Sequence, residues 1–507
     1  MILEIVNRIN FIIANKNMNY KKLLSGITVS CLSIPFLSVA ENSKPNILIL
    51  IADDVSLNDF GCYGHPIIKT PNIDALAKDG IRFTNTFLTT SSSSPSRSSI
   101  ITGRYPHNTG ACELHSPMGD EQISIAELLK NTGYYCAQAG KWHFGASPLK
   151  PDGPASRGFD RTGGGVNDGG GESGSEKWIS FLQERPKNKP FFMWFASHDA
   201  HRPWDSDQSL ERYNPDKVEI TRFFIDDKPT RQDFANYYFE VTRFDYYVGK
   251  VIKELKAQGV YKNTFIIVMA DNGRPFPRSK TRLNTDGIKT PFIVHYPAAV
   301  KQKGQVCNRL LSVIDIAPTL SEIARIKSSP TFQGRSFLTL LSNPQKKFRK
   351  YVFAEHNWHS FEALERMVCT EKYLLIENKR PQLNAIGASD IVDGDAGCSL
   401  IKGYKAGKLN EFQYDLFKVP RPTIELYEFE NDKDQLNNIA LNNKKVADKL
   451  IKVLRQWQKD TGDSYPAEIT PDWYKRDTLE KLPTFNIRKE MPGASNKAIL
   501  INKRGPF

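Results

Sequence analysis

Four short runs, Asn46 to Ile51, Phe191 to Ala196, Phe265 to Met269 and Pro291 to Tyr296, are apolar without polar alternation, the pattern of parallel strands covered on both faces. Tyr134 to Ala139 and Tyr351 to Ala354 are further candidate strands. Helical periodicity fills the gaps between them. One helix is expected to start at Thr70-Pro71, turn Ile73, Leu76 and Ala77 inward and stop at Gly80. Another carries Val241, Phe244, Val248, Ile252 and Leu255 every three to four positions up to Gly259. This alternation predicts a doubly wound α/β domain.

Beyond about residue 360 the pattern changes to hairpin-like strands, such as Met367 to Ile376. A late amphipathic helix follows, with Val446, Leu450, Val453 and Trp457 on one face. The expected organisation is therefore an export signal over residues 1–40, a catalytic α/β domain over 41–360 and a smaller C-terminal α+β subdomain, a short antiparallel sheet plus a helix, over 361–507. The signal is read from Lys21 and Lys22, the apolar run Leu23 to Val39 and the small-residue site Ser38-Val39-Ala40. An exported protein, periplasmic or secreted and without stable membrane insertion after cleavage, is the expectation, since that run is short and broken by Ser and Pro. Cys31 is poorly placed for lipidation because Thr28 stands where an aliphatic residue is wanted. The stretch Gly163 to Gly171 cannot hold regular structure and reads as a surface loop or a lid.

Composition changes this picture little. The net charge of +13 is scattered along 507 residues with no basic tail or basic helix, so nucleic acid is not an expected partner. A diffuse positive field suits polyanionic substrates. Beyond Cys31 the cysteines, at 62, 112, 136, 307, 369 and 398, have no zinc-ligand spacing, and one or two disulfides are possible for an exported chain.

Chemistry concentrates where each strand ends. In open α/β sheets ligands sit beyond the carboxyl ends of the strands. Asp53 and Asp54 follow the first run, Asp271 and Asn272 the third, His198, Asp199 and His201 the second; Lys141 and His143 follow Tyr134 to Ala139. Three carboxylates and an amide oxygen form a hard, all-oxygen ligand set suited to Ca²⁺ or, alternatively, Mg²⁺. The most specific segment runs from Ser93 to Arg104, where Pro95, Arg97 and Thr102-Gly103-Arg104 stand at fixed offsets from Ser93.

That segment resembles the signature of the type I sulfatases, in which Cys or Ser, any residue, Pro, Ser and Arg precede Thr-Gly-Arg. Pro45 to Asp54, Gly140-Lys141-Trp142-His143 and Asp271-Asn272-Gly273 resemble the other blocks of the family, and the likeness covers nearly the whole mature chain. Within the family the chain resembles the heparan N-sulfatase branch and its bacterial polysaccharide relatives, through His198-Asp199-Ala200-His201-Arg202, Asp271 to Lys280, Glu425-Leu426-Tyr427, Asn438-Ile439-Ala440 and Trp457. The resemblance implies an alkaline phosphatase-like doubly wound mixed sheet flanked by helices. It also implies a nucleophile made by oxidising Ser93 to formylglycine (3-oxoalanine), with Ser93 completing the metal shell. Serine at that position implies a radical-SAM maturase as partner.

The implied chemistry is attack on sulfur by a hydroxyl of the hydrated aldehyde, polarised by the cation. His201 is the candidate acid for the leaving group and His143 the base that restores the aldehyde. Arg97 would hold the aldehyde hydroxyls, while Lys141 and Lys280 bind sulfate oxygens. Lys280 stands where the heparan enzyme has arginine. His356, His359 and Arg366 are candidates to grip the sugar, and Arg202 and Trp204 to line the pocket. The expected substrate is an O-sulfated polysaccharide such as ulvan or carrageenan, with N-sulfoglucosamine as the alternative. A phosphate or phosphonate ester hydrolase of the same superfamily and an inactive glycan-binding homologue are the rivals.

Overall fold

Seven consecutive residues without a charge, Asn46–Ala52, can be buried on both faces only inside a sheet. They form β1, whose odd and even residues feed separate hydrophobic clusters on the two faces. The computed structural model describes residues 44–144, 157–163, 173–204 and 210–507. The expected export signal with Cys31, and the glycine-rich stretch after Gly163, lie outside the described residues.

The large sheet comprises β1, β2 (Ile81–Phe83), β4 (Tyr135–Gly140), β5 (Arg161–Gly163), β6 (Phe191–Ala196), β7 (Thr264–Ala270), β8 (Phe292–His295) and β9 (Gln305–Cys307), in the order β5-β4-β6-β1-β7-β8-β2-β9. β3 (Thr86–Phe87) and β10 (Leu311–Ser312) make a separate parallel pair. The run at Pro291 to Tyr296 corrects the expectation of a parallel strand: β8 is antiparallel to β7 and β2. The chain between β7 and β8 holds only the one-turn helix Thr285–Ile288, with no crossover helix to bring it back for a parallel pairing.

The helix expected around Val241 is longer than its periodicity predicts, running from Lys228 to Ala257. Asp227 caps it by accepting from Thr230 N at 2.9 Å, and Pro229 stands in its first turn. The helix Pro71–Asp79 starts where expected with Thr70 at the N-cap position, but the Thr70 side chain makes no capping bond and its hydroxyl donates to Asp74 Oδ1 at 3.0 Å instead. Asp245, on the long helix, takes the N–H of Ile73 at 2.7 Å and of Asn72 at 3.3 Å.

The second sheet is antiparallel: β11 (Val352–Trp358), β12 (Glu362–Cys369), β13 (Tyr373–Asn378) and β14 (Ile424–Glu428). Residue 360 falls in the turn joining β11 to β12. Val352, Ala354, Met367 and Ile376 face the core of the large sheet, whereas Phe353, Val368, Leu375 and Leu426 face the helix Lys444–Thr461. Trp457 of that helix stacks on Phe353 with ring centroids 5.1 Å apart. No described helix is long and apolar enough to cross a membrane. The six described cysteines are free thiols, so the possible disulfides are not formed among them.

Candidate active site

Strand register builds the site. Ala52 of β1 pairs with Ala270 of β7 and Ile51 with Ala196 of β6, so the residues that follow these strands emerge side by side. Asp53, Asp54, Asp271 and Asn272 meet at that edge, all with no solvent exposure. Gly140 ends β4 at φ +88°, where a Cβ would lie 1.8 Å from the Ala196 carbonyl oxygen. Only glycine lets the chain turn there and deliver Lys141.

Ser93 opens the helix Ser93–Thr102, every residue of which is buried. Its hydroxyl donates to Asn272 Oδ1 at 2.8 Å, lies 3.3 Å from Asp53 Oδ1 and accepts from Lys141 Nζ at 3.4 Å. A helix start favours negative charge, so Ser93 sits where an anion is stabilised. The Thr-Gly-Arg part of the motif has an architectural reason. Gly103 closes the helix at φ +61°, and Arg104 ties it to the carbonyls of Asn108, Thr331, Ile499 and Ile501.

Three cations thread the carboxylates. Arg97 donates from Nε to Asp271 Oδ2 at 2.8 Å and stands 3.6 Å from Asp53; Lys141 pairs with Asp53; Lys280 donates to Asp54 Oδ2 at 2.9 Å. Burial pushes Asp54 up to about 6 despite Lys280, and the charge of Asp53 adds to the rise. Asp271 is likewise pushed to about 6 by burial, against Arg97. Burial acts on Asp53 too, but Lys141, His201, Arg97 and Lys280 together hold it well below the usual carboxylate range. Oxygens of all three carboxylates approach within 4.8 Å of one another. Crowded, buried hard-oxygen donors that repel one another fit a divalent cation.

Four histidines ring this centre. His201 Nε2 lies 3.9 Å from Asp54 and 3.6 Å from Asp390. Its Nδ1 bonds the carbonyl oxygen of Arg202; a carbonyl can only accept, so Nδ1 carries the proton and Nε2 is free. Burial, helped by Lys280 and Lys141, lowers His201 to about 4. His143 shares a 2.8 Å hydrogen bond with His115, and burial with Lys141 holds it well below the usual range. His359 meets Ser92 Oγ at 2.8 Å. His198 has both ring nitrogens buried and unpartnered, close enough to Lys141 and Asp53 for their charges to act on it.

Ser93, Arg97, Lys141, His143, His201, Lys280 and the metal set thus converge, and His359 joins them. The other expected sugar contacts do not. Arg366 is fully buried, with its guanidinium spent on Asp463 at 2.7 and 2.8 Å and on Asn357 at 2.8 Å. His356 faces Glu365, Arg282 and Arg421 in a small cavity that also includes Thr281. Arg202 and Trp204 are drawn to Asp233, Trp204 Nε1 at 2.7 Å, and Trp204 stacks on Phe276. For Arg366, Arg202 and Trp204 the cause is shared: each has an internal partner that satisfies its charge or its N–H. Residues without a sequence assignment are His198, His115 and Asp390. His198 stood in a recognised motif, whereas Asp390 follows no strand and lies 110 positions from Lys280, which it contacts at 2.7 Å.

The chain is similar to known proteins over most of its length. The sulfatase family model matches residues 45–326, and the model of the N-sulphoglucosamine sulphohydrolase C-terminal region matches residues 279–384. The chain is 30% identical over 442 residues to an ulvan-active sulfatase of Formosa agariphila, covering 84% of this chain and 82% of that protein. It is 28% identical over 487 residues to human N-sulphoglucosamine sulphohydrolase, covering 88% and 96%. The solved complex of Ps i-CgsB with k-i-k-neocarrahexaose has the same fold, with a TM-score of 0.64 at 20% identity over 87% of this chain and 96% of that one.

Proposed function

The chain belongs to the sulfatase family and is a sulfuric ester hydrolase, and from that premise we propose that it desulfates an algal polysaccharide of the ulvan or carrageenan type, or its oligosaccharides. The observation that carries the mechanism is the hydroxyl of Ser93, within 2.8 to 3.4 Å of Asn272, Asp53 and Lys141 at the start of a buried helix. The substrate class rests on the ulvan-active relative, matched over most of both chains.

Asp53, Asp54, Asp271 and Asn272, with Ser93, would hold the cation, taken as Ca²⁺ with Mg²⁺ as the alternative. When bound, that cation supplies a Lewis acid that draws charge from a sulfate oxygen. Ser93, once oxidised by a radical-SAM maturase, supplies as formylglycine hydrate the hydroxyl that attacks sulfur. Lys141 and Lys280 bind the sulfate oxygens as compact charges, and Arg97, anchored on Asp271, holds the aldehyde hydroxyls. His201 delivers a proton from Nε2 to the leaving oxygen. Its proton affinity is low in the free site, and a sulfate anion placed beside it raises it. His143, kept neutral by burial and Lys141, takes the proton that must leave before sulfate is expelled. The chain is read as exported.

The second reading, an N-sulfoglucosamine sulfohydrolase, is favoured by the match to residues 279–384 and by the 96% coverage of the human relative. The test is co-expression of the mature chain with a maturase and measurement of sulfate released from ulvan, carrageenans, heparin oligosaccharides and N-sulfoglucosamine, beside Ser93→Ala. Release from an algal polymer alone is the expected result. Release from N-sulfoglucosamine alone selects the second reading. No release despite confirmed formylglycine removes both.

A further inference from the structure

Asp390 stands at the site without a part in the chemistry set out above. It is the second residue of the short helix Ser389–Val392. Its Oδ2 accepts from Lys280 Nζ at 2.7 Å and lies 3.6 Å from His201 Nε2, while Oδ1 lies 3.9 Å from His359 Nε2. Only the first of these distances is a hydrogen bond. An ionised carboxylate has roughly four acceptor positions, so capacity remains on both oxygens. The side chain is 28% exposed, where those of Asp54 and Lys280 are 0% and 1%, so that capacity faces the open side of the site.

The backbone that presents Asp390 is pinned. Ser389 meets Ser360 Oγ through its hydroxyl at 3.0 Å and its N–H at 3.3 Å. Gly387 turns at φ +85°, with space for a Cβ closed by Thr281 Oγ1 at 2.4 Å. A fixed carboxylate at the mouth of a pocket that must admit sulfate repels the ligand unless the substrate brings a donor to meet it. The position of that donor follows from the neighbours of Asp390. Oδ2 is 3.6 Å from the nitrogen that protonates the leaving oxygen, so the group it can reach is attached to the adjoining carbon.

Resting on the sulfatase reading, we infer that Asp390 is a specificity-determining residue that accepts a hydrogen bond from a free hydroxyl on the sugar carbon next to the sulfated one. It selects sugars with that hydroxyl and rejects those carrying a second sulfate there.

The test uses the mature chain bearing formylglycine and four substrates: an aryl sulfate, a pyranose monosulfate with a free adjacent hydroxyl, its methyl ether at that hydroxyl, and the vicinal disulfate. The wild type is expected to turn over the free-hydroxyl sugar about 10- to 100-fold faster in kcat/KM than the methyl ether, the range for losing one hydrogen bond to a charged group. In Asp390→Ala, kcat/KM on the free-hydroxyl sugar should fall at least tenfold more than on the aryl sulfate. Asp390→Asn, which keeps an acceptor oxygen without the charge, should recover part of that loss and improve on the disulfate. Equal rates of the wild type on free hydroxyl and methyl ether, or equal losses on sugar and aryl sulfate in Asp390→Ala, would overturn the inference. The first comparison needs no variant to fold. No turnover of any of the four by the wild type would overturn the sulfatase reading and the inference with it.

Discussion

Asp53, Asp54 and Asp271 at the edge of the large sheet, and Glu355 and Asp463 beside the small one, are all nearly removed from water, yet Asp54 and Asp271 are driven up and Asp463 down. At the first cluster burial raises Asp54 and Asp271 to about 6 against the pull of Lys280 and Arg97, while the surrounding cations hold Asp53 low. At the second, burial also opposes the charge of Asp463, but Arg366 holds it below the usual range with a parallel fork, Nε at 2.7 Å and Nη2 at 2.8 Å. Glu355 takes the N–H and Nδ1 of His107, both at 2.7 Å. Each cluster has three side chains close enough to hold a metal ion, but in the first Arg97, Lys141 and Lys280 are interleaved among three crowded carboxylates, whereas in the second one guanidinium forks onto one carboxylate. A dedicated guanidinium makes buried carboxylates architectural. Carboxylate oxygens crowded together on shared cations are suited to hold a further, divalent one.

Substitutions at the two clusters should therefore separate activity from stability. The largest effect is expected at the first: Ser93→Ala and Asp54→Asn should each lower kcat by at least about 10³-fold in sulfate-release assays. In chelator Asp54→Asn should melt no lower than the wild type, because it removes one of the repelling charges, and Asn tolerates the φ of +59° at that position. A drop in melting temperature with activity retained would reverse the comparison. Arg366→Ala should do the opposite, costing about 3–5 kcal/mol in denaturant titrations by stranding Asp463 and Glu355, with kcat of the folded fraction within about twofold.

Stripping the cation with a chelator should abolish turnover, and adding Ca²⁺ or Mg²⁺ back should restore it. At a free concentration 100 times Kd, the re-added ion should raise stability by about 2.7 kcal/mol in the wild type and in a partly stabilised Arg366 variant alike. His356 sharpens the comparison on the same strand as Glu355. Burial lowers it to about 4, with Arg282 and Arg421 opposing the help of Glu365. A depressed histidine contributes stability that is complete above the unfolded value near 6.5 and is lost as pH falls through about 4. His356→Gln should thus flatten the acid limb between pH 6.5 and 4 by at most about 3 kcal/mol in pH-dependent unfolding. The smallest effect belongs to Trp204→Phe, which should cost about 1 kcal/mol for the lost bond to Asp233 and leave KM for the glycan within about threefold.

The strand-end residues were legible because parallel strands buried on both faces read as unbroken apolar runs, and whatever polar residue follows such a run must emerge at one edge. Asp53, Asp271, Lys141 and His201 were all found in this way. The antiparallel direction of β8 was not legible, since a buried strand has the same composition in either direction. Nor did the spacing of His356 and Arg366 tell a pocket from a packed interface, because strand alternation gives a side chain's face but not what covers it.

The chain's own order of residues, then, determined the nucleophile motif, the donor set and the sheet edge that gathers them, since these depend on local periodicity and on parallel register. Tertiary structure alone decided which cations are spent and which remain available. Arg366 finds Asp463, Arg202 finds Asp233, and Asp390 reaches Lys280 across 110 residues of chain. Charge pairing acts over a few ångströms in space, and nothing in local spacing encodes a partner that only packing brings near.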